Sequence, residues 1–192
     1  TETIETVSLV TDSVANVLTD LQTTAVGPTT LEITGDENLT ITTALDAEIT
    51  TISAGDFTGD LNITTATRQG GDSTDATAAA VTTSFTITTG SGNDSITSAA
   101  GLGDTIESGA GADSITAGAG ADSILSGSGA DTISAGDGAD YIEGGTGADN
   151  ITSANTGTAS ATILGGEGAD TITGTSSTAA IIVDGQAGDD SI

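Results

Sequence analysis

Apolar and acidic residues recur at a regular spacing in the second half of the chain. From residue 94 onward, each aspartate of the pattern is followed two positions later by an isoleucine, and most successive aspartates are nine residues apart. These aspartates are Asp94, Asp104, Asp113, Asp122, Asp131, Asp140, Asp149, Asp170 and Asp190. In the phrase GSGADTISA, at 127–135, the glycines favour a tight turn. The residues around Ile133 favour a very short strand that points this isoleucine inward.

Two such phrases together form one rung of the solenoid, made of turn, strand, turn and strand over 18 residues. When rungs stack, residues 18 apart in the sequence therefore become vertical neighbours. The stacked backbones pair as parallel strands, and the isoleucines form two ladders across a thin core. The sequence therefore predicts an all-β, parallel β-solenoid. The same stacking places Asp104 over Asp122 and Asp140, and Asp113 over Asp131 and Asp149.

The first half of the chain has a different pattern. Residues 1–88 are rich in threonine and contain short alternating segments (TLEIT, NLTITT, DLNITT and SFTITT), which predict half-buried strands. We expect solenoid rungs of irregular length here. In DSVANVLTDL, at 12–21, the apolar residues also fit helical spacing, but valine and threonine favour a strand, which is the preferred interpretation. The predicted organisation is thus an irregular solenoid at 1–88 and a regular roll at 89–192, whose pairing an insertion at 153–164 is expected to break.

The net charge of the chain restricts the molecules that it can bind. The formal net charge is −27, and Arg68 is the only basic residue. Nucleic acid and anionic membrane surfaces would be repelled. The sequence contains no apolar run of 18 residues, so neither a transmembrane helix nor direct membrane insertion is expected. Acidic chains rich in glycine, serine and threonine are often disordered, but the regular isoleucines argue against disorder here. Folding then requires that cations join the structure.

Stacked carboxylates about 5 Å apart repel each other strongly unless a counter-ion lies between them. Calcium accepts six to eight oxygen ligands from carboxylates and backbone carbonyls at about 2.3–2.6 Å, which suits aspartates beside glycine turns. Magnesium demands stricter octahedral geometry, and the chain has no cysteine or histidine for zinc. The residues therefore predict several Ca²⁺ ions between successive turns.

The phrases GSGADTISA, GDGADYIEG and GGTGADNIT resemble the RTX nonapeptide, G-G-x-G-x-D-x-U-x, in which U is a large apolar residue. This resemblance implies a right-handed calcium-binding β-roll, with the nine aspartates above as ligands. It also implies loop carbonyl ligands around Gly109, Gly111, Gly118, Gly120, Gly127, Gly129, Gly136 and Gly138. The first glycine of the motif is often replaced in this chain, at Ser108, Ala117, Ser126 and Ala135.

Together with the threonine-rich stretch TTISAGDFTGDLNITTA, the repeats resemble bacterial surface-layer (S-layer) proteins of the RTX type. This resemblance implies an excerpt of a longer chain that leaves a Gram-negative cell by type I secretion. On the extracellular cell surface it would fold on calcium and self-associate into a lattice. A partner such as cell-surface polysaccharide would be bound through a part of the protein outside this chain.

Other functions stay open. The alternatives to an S-layer protein are the repeat stalk of a secreted RTX adhesin and the RTX repeat region of a secreted hydrolase. An ice-binding face is disfavoured, because the row between the glycines is irregular and partly charged. We do not expect an enzyme in these residues, since metal already accounts for the aspartates. In the first half, Asp36, Asp56, Asp60, Asp72 and Asp75 are expected to be solvated turn residues rather than further ligands, and Tyr141 to be an isolated exposed ring.

Overall fold

A computed structural model of the chain describes residues 6–11, 16–18, 29–41, 49–64, 84–98, 101–176 and 178–192. These residues form a parallel β-solenoid in which successive strands alternate between two sheets. The predicted all-β solenoid is confirmed. Among the described residues no helix is long and apolar enough to cross a membrane.

The strands, numbered in chain order, divide into an odd sheet and an even sheet. The odd sheet contains β1 (Thr6–Thr11), β3 (Thr30–Gly35), β5 (Thr51–Ser53), β7 (Thr86–Thr88), β9 (Thr105–Glu107), β11 (Ser123–Ser128), β13 (Tyr141–Thr146), β15 (Ala161–Glu167) and β17 (Ile181–Ala187). The even sheet contains β2 (Asn16–Leu18), β4 (Leu39–Ile41), β6 (Leu61–Thr64), β8 (Ser95–Thr97), β10 (Ser114–Thr116), β12 (Thr132–Asp137), β14 (Asn150–Asn155) and β16 (Thr171–Ser176).

Isoleucine ladders from both sheets form the core. Ile106 pairs in register with Ile124 and then with Ile142 in the odd sheet, which confirms the rung of 18 residues. Ile133 pairs with an isoleucine on each side in the even sheet in the same way. From Ile87 to Ile172 the ladder isoleucines are no more than 2% exposed, whereas Ile192 in the last rung is 74% exposed. Each rung adds only two such side chains, so burial is sufficient only when many rungs stack.

The glycine turns pack directly on one another along the solenoid axis. Gly129 has φ 136°, and a Cβ there would lie 1.7 Å from the carbonyl oxygen of Gly111 in the preceding rung. Only glycine tolerates both the backbone angle and this approach. The turn carbonyls consequently point along the axis toward the next turn, where they can accept hydrogen bonds or face a ligand.

The expectation that the insertion at 153–164 breaks vertical pairing is wrong. β13 pairs with β15 in register across it, with Ile142 opposite Ile163, and β14 pairs with β16. The rung is lengthened from 18 to 21 residues, and both ends of the insertion are strand. The extra length projects as an exposed turn at 156–160. The side chain of Asp137 holds this turn by accepting from the N–H of Thr156 at 2.7 Å.

The threonine-rich half continues the same two sheets. All four segments predicted as strands form β3, β4, β6 and β7, and the segment at 16–18 is a strand rather than a helix. β7 pairs with β5 on one side and β9 on the other, so the sheets run through the boundary predicted at 88 and 89. The rungs are longer and irregular, because Ile52 pairs with Ile87 across 35 residues.

Candidate metal-binding site

Aspartates line both edges where the turns enter the strands. The even column consists of the aspartates that precede strands of the even sheet: Asp94, Asp113, Asp131, Asp149, Asp170 and Asp190. The odd column consists of Asp104, Asp122 and Asp140. All but Asp190 are buried, at no more than 3% exposure. The stacking predicted from the sequence is therefore confirmed for the described rungs.

One carboxylate oxygen of each aspartate links neighbouring rungs. In both columns, Oδ1 accepts the backbone N–H of the residue one rung earlier, at 2.7–3.2 Å. The Oδ1 atom of Asp122, for example, accepts the N–H of Asp104 at 2.8 Å. Each hydrogen bond to a charged acceptor stabilises the stack. It leaves the second oxygen, Oδ2, with no part in the backbone ladder.

Most of these second oxygens are buried without a partner. Among the described residues, no hydrogen bond reaches Oδ2 in six aspartates: Asp94, Asp113, Asp122, Asp131, Asp149 and Asp170. A buried unsatisfied polar atom costs about 1–3 kcal/mol, and a charged one costs more. A row of such oxygens, one per rung, is therefore a strong indication that a cation belongs beside them.

At both ends of the odd column, the second carboxylate oxygen has a hydrogen-bond partner. Oδ2 of Asp104 accepts the hydroxyl of Ser98, and Oδ2 of Asp140 accepts the hydroxyl of Ser153 at 3.1 Å. Phe85 precedes this column, donating its N–H to Asp104 at 2.7 Å, and Ala161 follows it in register beyond Asp140. Asp122, in the middle, keeps the unpartnered oxygen.

Burial shifts the acidity of these groups. Desolvation raises the pKa of Asp94, Asp122 and Asp149 to about 6, and the negative charges of neighbouring column aspartates add to the rise. It also raises the pKa of Asp113 and Asp140. The Thr89 hydroxyl moderates the pKa rise at Asp94, but its proton is directed to the carbonyl of Ser108 at 2.7 Å, so Oδ2 of Asp94 stays unpartnered. A cation beside these five aspartates would favour the ionised carboxylates that burial disfavours.

The donor set fits a hard divalent cation. Within the part of the chain that the structure describes, no group of three or more acidic side chains is arranged to hold a metal alone. Six of the nine column aspartates offer an unpartnered carboxylate oxygen near stacked backbone turns, and calcium accepts a mixture of carboxylate and carbonyl oxygens. Calcium bound to these carboxylates and carbonyls would offset the repulsion along the column and would give the unsatisfied oxygens a partner.

The predicted carbonyl ligands lie in the turns beside the columns. All the predicted glycines except Gly138 have positive φ. The carbonyl oxygens of Gly109 and Gly118 each accept a backbone N–H from the next rung, at 2.9 and 3.0 Å. Those of Gly111 and Gly120 lie against the glycines of the next rung. The assignment of individual ligands stays a prediction.

A second ladder was missed by the sequence reasoning. Asn38 and Asp60 lie one residue before the even-column position, as does Asn93. The side chain of Asn38 accepts the N–H of Asp60 at 2.9 Å, Asp60 accepts from Asn93, and Asn93 accepts from Ala112 at 2.7 Å. The intervals of 22 and 33 residues hide this ladder from a search for a fixed period. It links the rungs of the first half without a buried charge.

The other described aspartates of the first half lie outside the columns. Asp36 and Asp56 are both exposed in turns, whereas Asp72 and Asp75 lie outside the described residues. Asp60 is half-buried and accepts the N–H of Asn93 in the second ladder, a role that the sequence did not predict. Tyr141 is 46% exposed on the outer face of the odd sheet, as predicted.

Comparison with known proteins agrees with this geometry. The family model of the RTX calcium-binding nonapeptide repeat matches the chain in four copies, at residues 86–102, 101–133, 125–154 and 156–177. The chain therefore contains RTX calcium-binding nonapeptide repeats, and eight of the nine column aspartates lie within the matched residues. No curated protein matches the chain, and no solved structure does.

Proposed function

We propose that this chain is a calcium-stabilised repeat region of a secreted RTX protein, which folds when calcium binds along its two aspartate columns. The observation that carries the proposal is the row of buried carboxylate oxygens without a partner. The matched calcium-binding repeats over the same residues support it. A net charge of −27 gives cation binding a large electrostatic driving force.

The chain's own groups explain why folding and binding would be coupled. Without a cation, folding must bury carboxylates that the surroundings do not compensate, and the free energy of burial opposes stacking. When calcium supplies the compensating charge, binding free energy becomes folding free energy. An expanded form suits passage through a secretion channel, and extracellular calcium then drives rung formation.

Equilibrium dialysis tests the binding directly. We expect several calcium ions per chain, with magnesium unable to displace them at equal concentration, because the carbonyl-rich layers do not impose octahedral geometry. Asp56→Asn, which removes an exposed charge outside the columns, serves as the matched control and should leave the stoichiometry unchanged. Binding of no calcium, or loss of an ion in the control, would contradict the proposal.

We further propose that the repeats belong to an S-layer protein at the surface of a Gram-negative cell. Three exposed apolar side chains on the outer face of the odd sheet support self-association. They are Leu125, Tyr141 and Ile182, which are 41%, 46% and 57% exposed and lie among polar residues of the neighbouring rungs. Tyr141 and Ile182 lie in one row two rungs apart, because each pairs with Thr162. Exposed apolar groups in a highly charged chain favour contact between copies.

Electron microscopy of the calcium-loaded chain tests this assignment. We expect ordered sheets that disappear with Tyr141→Glu, whereas Thr171→Glu, at an exposed outward position of the even sheet, should leave them intact. Circular dichroism must show that both variants fold. Separate rods in calcium would instead favour an adhesin stalk or the repeat region of a hydrolase.

We also propose that these residues have a structural role and no catalytic one. The buried column carboxylates are engaged through Oδ1 in the rung-to-rung ladder, which holds them away from a substrate. Turnover of a polysaccharide by the isolated chain would contradict this assignment.

A further inference from the structure

The first position of each repeat divides the even column into two parts. In the rungs of Asp94, Asp113 and Asp131, this position is occupied by a hydroxyl residue: Thr89, Ser108 and Ser126. In the rungs of Asp149, Asp170 and Asp190 it is occupied by glycine: Gly144, Gly165 and Gly185. The three hydroxyl residues are at most 2% exposed, so they must find partners inside the fold.

The hydroxyls find these partners in the next rung. Thr89 donates to the carbonyl oxygen of Ser108 at 2.7 Å, and Ser108 donates to that of Ser126 at 2.9 Å. Ser126 in turn donates to the carbonyl oxygen of Gly144 at 2.5 Å. Three consecutive first-position carbonyls are therefore already hydrogen-bonded by a side chain beside the column.

In the rungs with glycine at the first position, no hydroxyl lies between the column carboxylate and the first-position carbonyl oxygen of the next rung. A Cβ on Gly144 would lie 2.6 Å from Oδ2 of Asp149 and 2.4 Å from the carbonyl oxygen of Gly165. A Cβ on Gly165 would lie 2.4 Å from Oδ2 of Asp170 and 2.8 Å from the carbonyl oxygen of Gly185. In each rung an unpartnered carboxylate oxygen and a carbonyl oxygen thus face one space beside a glycine that has no side chain.

Backbone angle does not account for these glycines. Gly144 and Gly165 have no positive φ, whereas their neighbours Gly145 and Gly166, at φ 101° and 116°, do. A serine is sterically allowed by the backbone at the first position, as Ser108 and Ser126 demonstrate in the same chain. The absence of a side chain therefore matters for the space beside the carboxylate.

Resting on the calcium binding proposed above, we propose that the even column has two classes of layer. Calcium binds tightly where Asp149 meets the Gly165 carbonyl and where Asp170 meets the Gly185 carbonyl. It binds weakly in the layers of Asp94, Asp113 and Asp131, because an ion there must displace a hydroxyl from the carbonyl it needs. The hydroxyl ladder holds those three layers together when calcium is scarce.

Two reciprocal substitutions test this division by calorimetric calcium titration of the whole chain. Ser126→Gly removes the hydroxyl over the Gly144 carbonyl and should move one ion into the tight class. Gly165→Ser introduces a Cβ and a hydroxyl beside Asp170 and should move one ion out of it. We expect each affected Kd to change by roughly tenfold, the upper range for one net hydrogen bond.

The matched controls lie at exposed positions outside the calcium-binding turns. Ser53→Gly, in β5 of the first half, and Gly157→Ser make the same chemical changes, and both should leave the binding classes unchanged. Because Ser126→Gly predicts a gain in affinity, poor folding cannot produce the expected result. Calcium binding that neither Ser126→Gly nor Gly165→Ser alters would overturn the two-class division alone. No binding by the unsubstituted chain would overturn the proposed function together with it.

Discussion

Replacing Asp122 with asparagine should have opposite effects on the fold with and without calcium. Asp122 is 2% exposed, and its Oδ1 accepts the N–H of Asp104 at 2.8 Å while its Oδ2 has no partner. Asparagine has nearly the same shape and can still accept that hydrogen bond through its own Oδ1. The substitution therefore removes the negative charge and one oxygen ligand while the backbone ladder is retained.

The magnitude follows from the acidity of the group. Burial raises the pKa of Asp122 from 3.8 to about 6, and each pKa unit corresponds to about 1.4 kcal/mol. Ionised Asp122 therefore costs the calcium-free fold up to about 3 kcal/mol at neutral pH. Leaving the new amide N–H unpartnered costs about 1–2 kcal/mol, so the net gain is about 1–2 kcal/mol. With calcium, loss of a charged ligand should weaken binding to the odd column by about tenfold or more.

Circular dichroism separates the two effects. The free energy of unfolding is measured with urea in saturating calcium, where the variant should be less stable. In EDTA, the amount of a protecting osmolyte needed to induce the β spectrum should be lower for the variant. Asp56→Asn, at an exposed position, should change neither value. Destabilisation of Asp122→Asn in both conditions would refute the argument, since Asp122 would then act through packing or hydrogen bonding alone.

Three further outcomes follow from the same geometry. In EDTA, the carboxyls whose pKa is raised to about 6 should stabilise the fold fully below pH 3.8 and lose this contribution as pH rises through about 6. Circular dichroism at stepped pH measures this dependence, and unfolding on acidification would count against it. Ile133→Ala should lower the free energy of unfolding in saturating calcium by about 2–5 kcal/mol in a urea titration, whereas Ile182→Ala, at 57% exposure, should cost far less. Gly129→Ala should lower the free energy of unfolding by on the order of 3 kcal/mol or more, because its Cβ would lie 1.7 Å from the Gly111 carbonyl oxygen. Gly157→Ala, in an open exposed turn, is the control, and equal stabilities of the two variants would contradict the packing of the turns.

The regular half of the fold could be predicted because its period is fixed by the stack. Residues such as Ile124 and Ile142 must repeat every 18 positions to remain in one ladder, so their spacing carries the register. The same spacing placed Asp104, Asp122 and Asp140 in one column. Local turn chemistry and inward alternation were sufficient for this inference.

Other features depend on contacts that spacing does not encode. The lengthened rung at 153–164 stays in register because the turn at 156–160 projects outward, which a count of residues does not reveal. The ladder through Asn38, Asp60 and Asn93 links residues at unequal intervals. The hydroxyl of Ser126 looked like a departure from the repeat, and only the structure places it on the carbonyl of Gly144.

A calcium titration followed at once by small-angle X-ray scattering and circular dichroism tests the central claim most directly. In EDTA at neutral pH, the chain should be expanded, with a radius of gyration approaching the roughly 47 Å of an unfolded chain of this length. Added calcium should reduce this radius and produce the β spectrum with one shared midpoint. A compact chain with a full β spectrum in EDTA, unchanged by calcium, would contradict the coupling of folding to calcium binding.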